Sequence, residues 1–136
     1  ILDMDIHPFI VHFPISLYFF ALIFEIMRKY YSWIHENISL FTFLVACFFS
    51  IISSFSGNML KLTISNTQET SQLMKNHEYF GSSVTIFGII FSFLLMYVKL
   101  KFPQKEVFIF RIFIFISMTL LVFYTGFLGG KLVHGW

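Results

Sequence analysis

Charge is scarce in this chain. Asp, Glu, Lys and Arg make up 12 % of its 136 residues, where a soluble domain carries about 25 %. Nine basic residues against seven acidic ones leave a net charge of +2, which gives no electrostatic footprint for nucleic acid. There is one cysteine, Cys47, so no disulfide can form within one chain. The sequence holds no low-complexity linker and no clear internal repeat. No stretch reads as a cleavable signal peptide, with a basic start and a small-residue cleavage site. It also lacks a Gly-rich nucleotide loop, a carboxylate pair and a nucleophile–base arrangement, so nothing supports hydrolysis or phosphoryl transfer.

What the chain has in excess is apolar surface. Hydrophobic residues reach 57 %, with 21 Phe, and the mean hydropathy is +0.81. A soluble domain of this length buries only about 70 % of the surface its chain exposes. That much apolar surface could not be hidden in water, which excludes a soluble enzyme, and the same composition excludes disorder. Four stretches, at about 9–27, 38–60, 79–98 and 107–132, approach the roughly 20 residues a membrane helix needs. Short connections between them predict an all-α, up-down-up-down four-helix bundle in a single transmembrane domain over 1–136. The polar middle connection runs from Lys61 to Asn76. It places Ser71 and Gln72 among good helix formers, as a short surface helix or an extension of the third span.

Lys and Arg suggest an orientation. Arg28, Lys29, Lys99, Lys101, Lys105 and Arg111 lie toward one face, and Lys61, Lys75 and Lys131 toward the other. The excess predicts that the first face is cytoplasmic and that both termini are periplasmic, in a bacterial inner membrane. Trp33 and Trp136 then fall at opposite ends as interface anchors. Arg111 is expected to snorkel to the cytoplasmic boundary, and Glu25 to pair locally with Arg28 three residues on.

The histidines carry the most information. Of five, His7, His12, His77 and His134 fall at the outer ends of the spans, and His35 lies in the opposite loop. His12 is five residues past His7, about 7.5 Å deeper and turned by roughly 140° on a regular helix. An ionisable residue at that depth is a functional hypothesis by default. Small residues surround these positions. His77, Gly81, Thr85 and Gly88 share one face of the third span, Ser16 lies one turn below His12, and Thr125, Gly126, Gly129 and Gly130 precede His134. On the second span Ser50 and Ser54, and Ser53 and Gly57, stand at four-residue spacing. Small residues let membrane helices pack closely without any ligand, and they also leave room for a flat ligand beneath an axial histidine. A haem b meets these requirements, with imidazoles from facing helices and an apolar slot. Four histidines could serve one haem or two. Zinc or copper receives no support from spacing, since no HxH, HxxxH or CxxC occurs.

The opening HPFIVHFPISL, His7 to Leu17, resembles the HPxxVHFPIAL signature of a family of small four-helix bacterial membrane proteins, domain of unknown function twenty-two thirty-one. The closing TGFLGGKLVHG, Thr125 to Gly135, is similar to that family's TGxLGGxLVY segment. The positions matching the pattern are His7, Pro8, His12, Pro14, His77, Gly126, Gly129 and Gly130. Phe127 stands where many members carry a histidine, and His134 where others have tyrosine, which bears on the number of haems. The resemblance implies haem binding and electron transfer.

The expectation is therefore a haem-b-binding subunit of a larger respiratory or photosynthetic membrane complex, an electron-transfer or accessory protein rather than an independent enzyme. His12 and His77 would hold the iron, with His7 and His134 as a second pair. Its partners would be the lipid bilayer, other subunits, and a cytochrome c or a quinone. The alternative is a non-catalytic scaffold subunit without a cofactor.

Overall fold

The computed structural model describes residues 6–64, 72–103 and 107–135, the side chains of 63 and 64 excepted. Ser71, Lys105 and Trp136 lie outside the described residues. Among those described, all regular structure is helical: α1 (Ile6–Met27), α2 (Glu36–Ile64), α3 (Gln72–Lys101) and α4 (Phe108–His134). All four helices are long and apolar enough to cross a membrane.

The helices outrun the expected spans because their polar ends find partners. Gln72 donates from Nε2 to Asn76 Oδ1 at 2.9 Å, one turn on, so α3 takes in the end of the middle connection. Lys61 of α2 meets Glu78 of α3 at 2.6 Å. The first helix runs through Pro14, which lies buried inside it; membrane helices tolerate such a residue where neighbours cover the freed backbone groups. The last helix stops at Gly135, whose φ of +68° favours glycine and whose N–H donates to Lys131 O at 2.9 Å.

Each helix packs on two neighbours: α1 on α2 and α4, and α3 on α2 and α4. The bundle is antiparallel throughout. At one end His7 of α1 meets Ser56 of α2, and at the other Glu25 of α1 meets Ser39 of α2 and Arg111 of α4. We call these the histidine end and the arginine end. The arrangement of surface is that of a protein in lipid: Phe41, Phe55, Phe93, Ile109 and Phe113 face outward, while Glu25, Ser39, Ser50, Arg111 and Thr119 are buried. Lipid supplies no hydrophobic drive between helices, so packing and hydrogen bonds hold them together. Thr119 donates to Tyr18 O at 3.2 Å, and Thr85 to Ser50 O at 3.1 Å. Each such bond is worth on average about 0.6 kcal/mol.

Equivalent positions of the two helical hairpins meet at the centre. Ser39 of α2 and Arg111 of α4 are hydrogen-bonded at 2.9 Å. Phe43 and Phe115 are separated by the same interval in sequence, and their ring centres lie 4.9 Å apart. Tyr18 of α1 and Gly88 of α3 are separated by nearly that interval, and a Cβ on Gly88 would lie 2.5 Å from the Tyr18 hydroxyl. Two parallel helices that touch keep a near-constant sequence offset along their length, so α2 lies against α4, and α1 against α3, across the bundle.

The glycine at 88 is demanded by the rigid, buried phenol opposite it. Gly88→Ala is expected to destabilise the protein by about 1–3 kcal/mol through overpacking. Detergent unfolding curves check this, and Gly81→Ala is the control, because a Cβ there meets Thr125 Cγ2 at an ordinary 3.8 Å.

Candidate functional site

The buried stripe of α1 fixes which histidine faces inward. Pro14, Tyr18, Ala21 and Glu25 are its buried residues, at spacings of four, three and four. His7 lies seven residues before Pro14 and falls on the same stripe. It is half-buried, whereas His12 is exposed and its Nδ1 sits against Pro8 O of its own helix.

His7 faces His77 across the bundle. The ring centres are 6.4 Å apart and the planes cross at 77°. The two are separated by the same interval in sequence as Tyr18 and Gly88. Their seats are also equivalent. His77 Nδ1 lies 3.1 Å from Thr125 O, and its Cε1 would be 3.0 Å from a Cβ on Gly129. His7 Nδ1 lies 2.9 Å from Ser56 Oγ, and its Cε1 would be 3.0 Å from a Cβ on Gly57. The missing Cβ on each neighbouring helix is what lets each imidazole lie back against backbone. A carbonyl only accepts, so neutral His77 carries its proton on Nδ1 and keeps the Nε2 lone pair free. Metal-binding histidines are commonly held in this way, with the second ring nitrogen donating to a carbonyl.

The other expected site residues fall elsewhere. His12 is not brought to His77; five residues turn it off the buried stripe, and His7 takes that place. His134 is the last residue of α4 and is exposed, five residues beyond the glycine that backs His77. Ser16 is exposed. Thr85 ties α3 to α2 through Ser50 O. The glycine groove expected below His77 is filled: Gly88 by Tyr18, and Gly126 by Ile15, whose Cδ1 would be 3.0 Å from a Cβ there. Gly81 packs beside Thr125, and Gly130 is half-buried. Among the described residues, no group of three or more His, Cys, Asp or Glu could hold a metal ion.

Sequence reading missed Ser56 and the matched roles of Gly57 and Gly129. A signal was present. Ser53-Ser-Phe-Ser-Gly57 in α2 and Thr125-Gly-Phe-Leu-Gly129 in α4 are both [Ser/Thr]-x-Phe-x-Gly, and the interval between them is that between Ser39 and Arg111.

At the arginine end, Arg111 turns inward instead of snorkelling. It is 3 % exposed and forks onto the fully buried Glu25, with Nε to Oε1 at 2.9 Å and Nη2 to Oε2 at 2.8 Å. Arg28 Nε donates to Oε1 at 2.9 Å, as its sequence spacing predicts, and Ser39 Oγ donates to Oε2 at 2.6 Å. Arg28 Nη2 also reaches Oε1 at 2.7 Å, so five donors satisfy one carboxylate. Arg111 also donates to Glu36 O at 3.1 Å. This cluster fastens α1, α2 and α4 at one depth. An outward-turned Arg111 would have left Glu25 buried with only Arg28 and Ser39.

Filling the space behind His77 separates a seat from a gap. Gly129→Val is expected to push the ring off Thr125 O. Loss of the His77 Nδ1–H signal in ¹⁵N-edited NMR would show it, with the helical circular dichroism unchanged.

No curated protein and no solved structure matches this chain. The family described as predicted membrane protein (DUF2231) matches residues 3–135. With four membrane-length helices, the HPFIVHFPISL opening at the head of α1 and the TGFLGGKLVHG ending at the foot of α4, the chain belongs to that family.

Proposed function

We propose that the chain is a haem-b-binding membrane subunit that passes single electrons near the face of the membrane holding its histidine end. The observation that carries this reading is the His7–His77 pair, one imidazole from each hairpin with ring centres 6.4 Å apart. Metal–imidazole bonds are about 2 Å long, so two imidazoles that shared one metal would have ring centres close to this spacing. The donor set fits a haem iron, which His7 and His77 would hold as its protein ligands. The filled positions at Gly126 and Gly88 leave the seat at the histidine end and favour one haem over two.

Haem iron, when bound, supplies a one-electron couple. The chain's own part is to hold and tune. Thr125 O and Gly129 fix the direction of His77 Nε2, and Ser56 and Gly57 hold His7. The outward Phe and Ile side chains keep the seat in a low-dielectric slab, where charge on a bound group is felt strongly. A seat near one face suits exchange with a periplasmic cytochrome c or a quinone within a larger inner-membrane complex.

Protein purified in detergent from haem-replete cells tests this. A sharp reduced-minus-oxidised α-band of b type, at one haem per chain, is expected. A flat spectrum from folded protein that co-purifies with its partners would favour the second reading, a scaffold subunit. That reading draws on the tight packing at Gly88 and Gly126.

A further inference from the structure

We infer that Ser56 is a positioning residue that sets the tautomer of His7, so that Nε2 is the nitrogen presented to the space between the two rings; its value to a metal rests on the haem reading above. Ser56 Oγ lies between two groups, His7 Nδ1 at 2.9 Å and Ser53 O at 2.8 Å. Ser53 O is a carbonyl and only accepts, so the single hydroxyl proton goes to it. The oxygen then faces His7 with a lone pair, and His7 Nδ1 must supply the proton. Neutral His7 is therefore the Nδ1–H form, with Nε2 unprotonated.

The facing ring gives this a second support. His77 reaches the same state by a shorter route, with Nδ1 directly on Thr125 O at 3.1 Å. Thr125 is the counterpart of Ser53 in the second hairpin, as Gly129 is of Gly57. The counterpart of Ser56 is Leu128, which offers no hydroxyl. Ser56 thus adds to the His7 seat a hydroxyl that the His77 seat lacks, beside the Ser53 carbonyl that also reaches the His7 ring. Both routes end with the proton on Nδ1 and an unprotonated Nε2, which is what a group shared between the two rings would need from each.

The test reads the tautomer of the haem-free protein, by ¹⁵N NMR of labelled histidine in detergent at a pH where the rings are neutral. Wild-type His7 is expected to carry its proton on Nδ1. In Ser56→Ala that preference is expected to fall to a mixture with Nε2–H, and Ser56→Thr is expected to restore it. Haem affinity should fall about 10-fold in Ser56→Ala, as for other groups that orient a metal ligand. A wild-type His7 with its proton on Nε2, or a tautomer unmoved by Ser56→Ala, overturns the inference. If the tautomer behaves as stated but no variant binds haem, the assignment of Ser56 stands and the haem reading fails. The wild-type measurement needs no variant to fold.

Discussion

Glu25→Ala is expected to destabilise the bundle by about 3–5 kcal/mol, the cost of breaking a buried ion pair by removing one partner. The carboxylate receives five donors, and Arg111, 3 % exposed, forks onto it through Nε and Nη2. Without Glu25 the guanidinium keeps Ser39 Oγ and Glu36 O, while the Glu36 carboxylate stands off at 3.7 Å. A cation is then buried with its nearest full charge beyond hydrogen-bond range. Arg111→Leu should cost less, because Arg28 still reaches Glu25 at 2.9 Å. The double variant Glu25→Ala with Arg111→Leu should recover much of the loss, since neither member of the pair is left as an uncompensated buried charge. Unfolding in a detergent–denaturant series gives all three values, and the coupling energy between the two positions follows from the cycle. Losses that simply add would contradict the pairing.

The second large effect falls at the other end. His7→Ala and His77→Ala are each expected to abolish haem binding, whereas His12→Ala and His134→Ala should retain one haem per chain. The distinction comes from geometry. The rings of His7 and His77 face each other, 6.4 Å apart across the bundle, whereas His12 is exposed and turned off the buried stripe of α1. Haem quantified per folded chain separates these results. Loss with His12→Ala and retention with His7→Ala would move the ligand from one to the other.

Much of this fold is legible in the sequence because lipid imposes a simple rule. A span needs about 20 apolar residues, and short connections force antiparallel neighbours. The rotation of each helix is less legible, because Phe, Ile and Leu occupy lipid-facing and inward-facing positions alike. On α1 the depth of His12 draws attention to the exposed side of the helix. The better guide is Glu25, a residue that lipid could not tolerate. It follows His7 by five full helical turns, so the two point the same way. Arg111 follows the same logic. It starts α4 at the depth where Glu25 ends α1, and a guanidinium level with a buried carboxylate is drawn inward. The glycines read as a ligand groove are holes for this chain's own side chains, Tyr18 at Gly88 and Ile15 at Gly126. Composition alone does not say what fills a glycine. The likeness of the two histidine seats escapes a search for repeats because so few identities carry it: a histidine and the [Ser/Thr]-x-Phe-x-Gly segments.

The measurement that tests the His7–His77 site most directly is electron paramagnetic resonance of the oxidised, haem-loaded protein. If His7 and His77 both held the iron, their nitrogen donors would give a low-spin ferric signal. A high-spin signal, or folded protein that takes up no haem, would contradict the site.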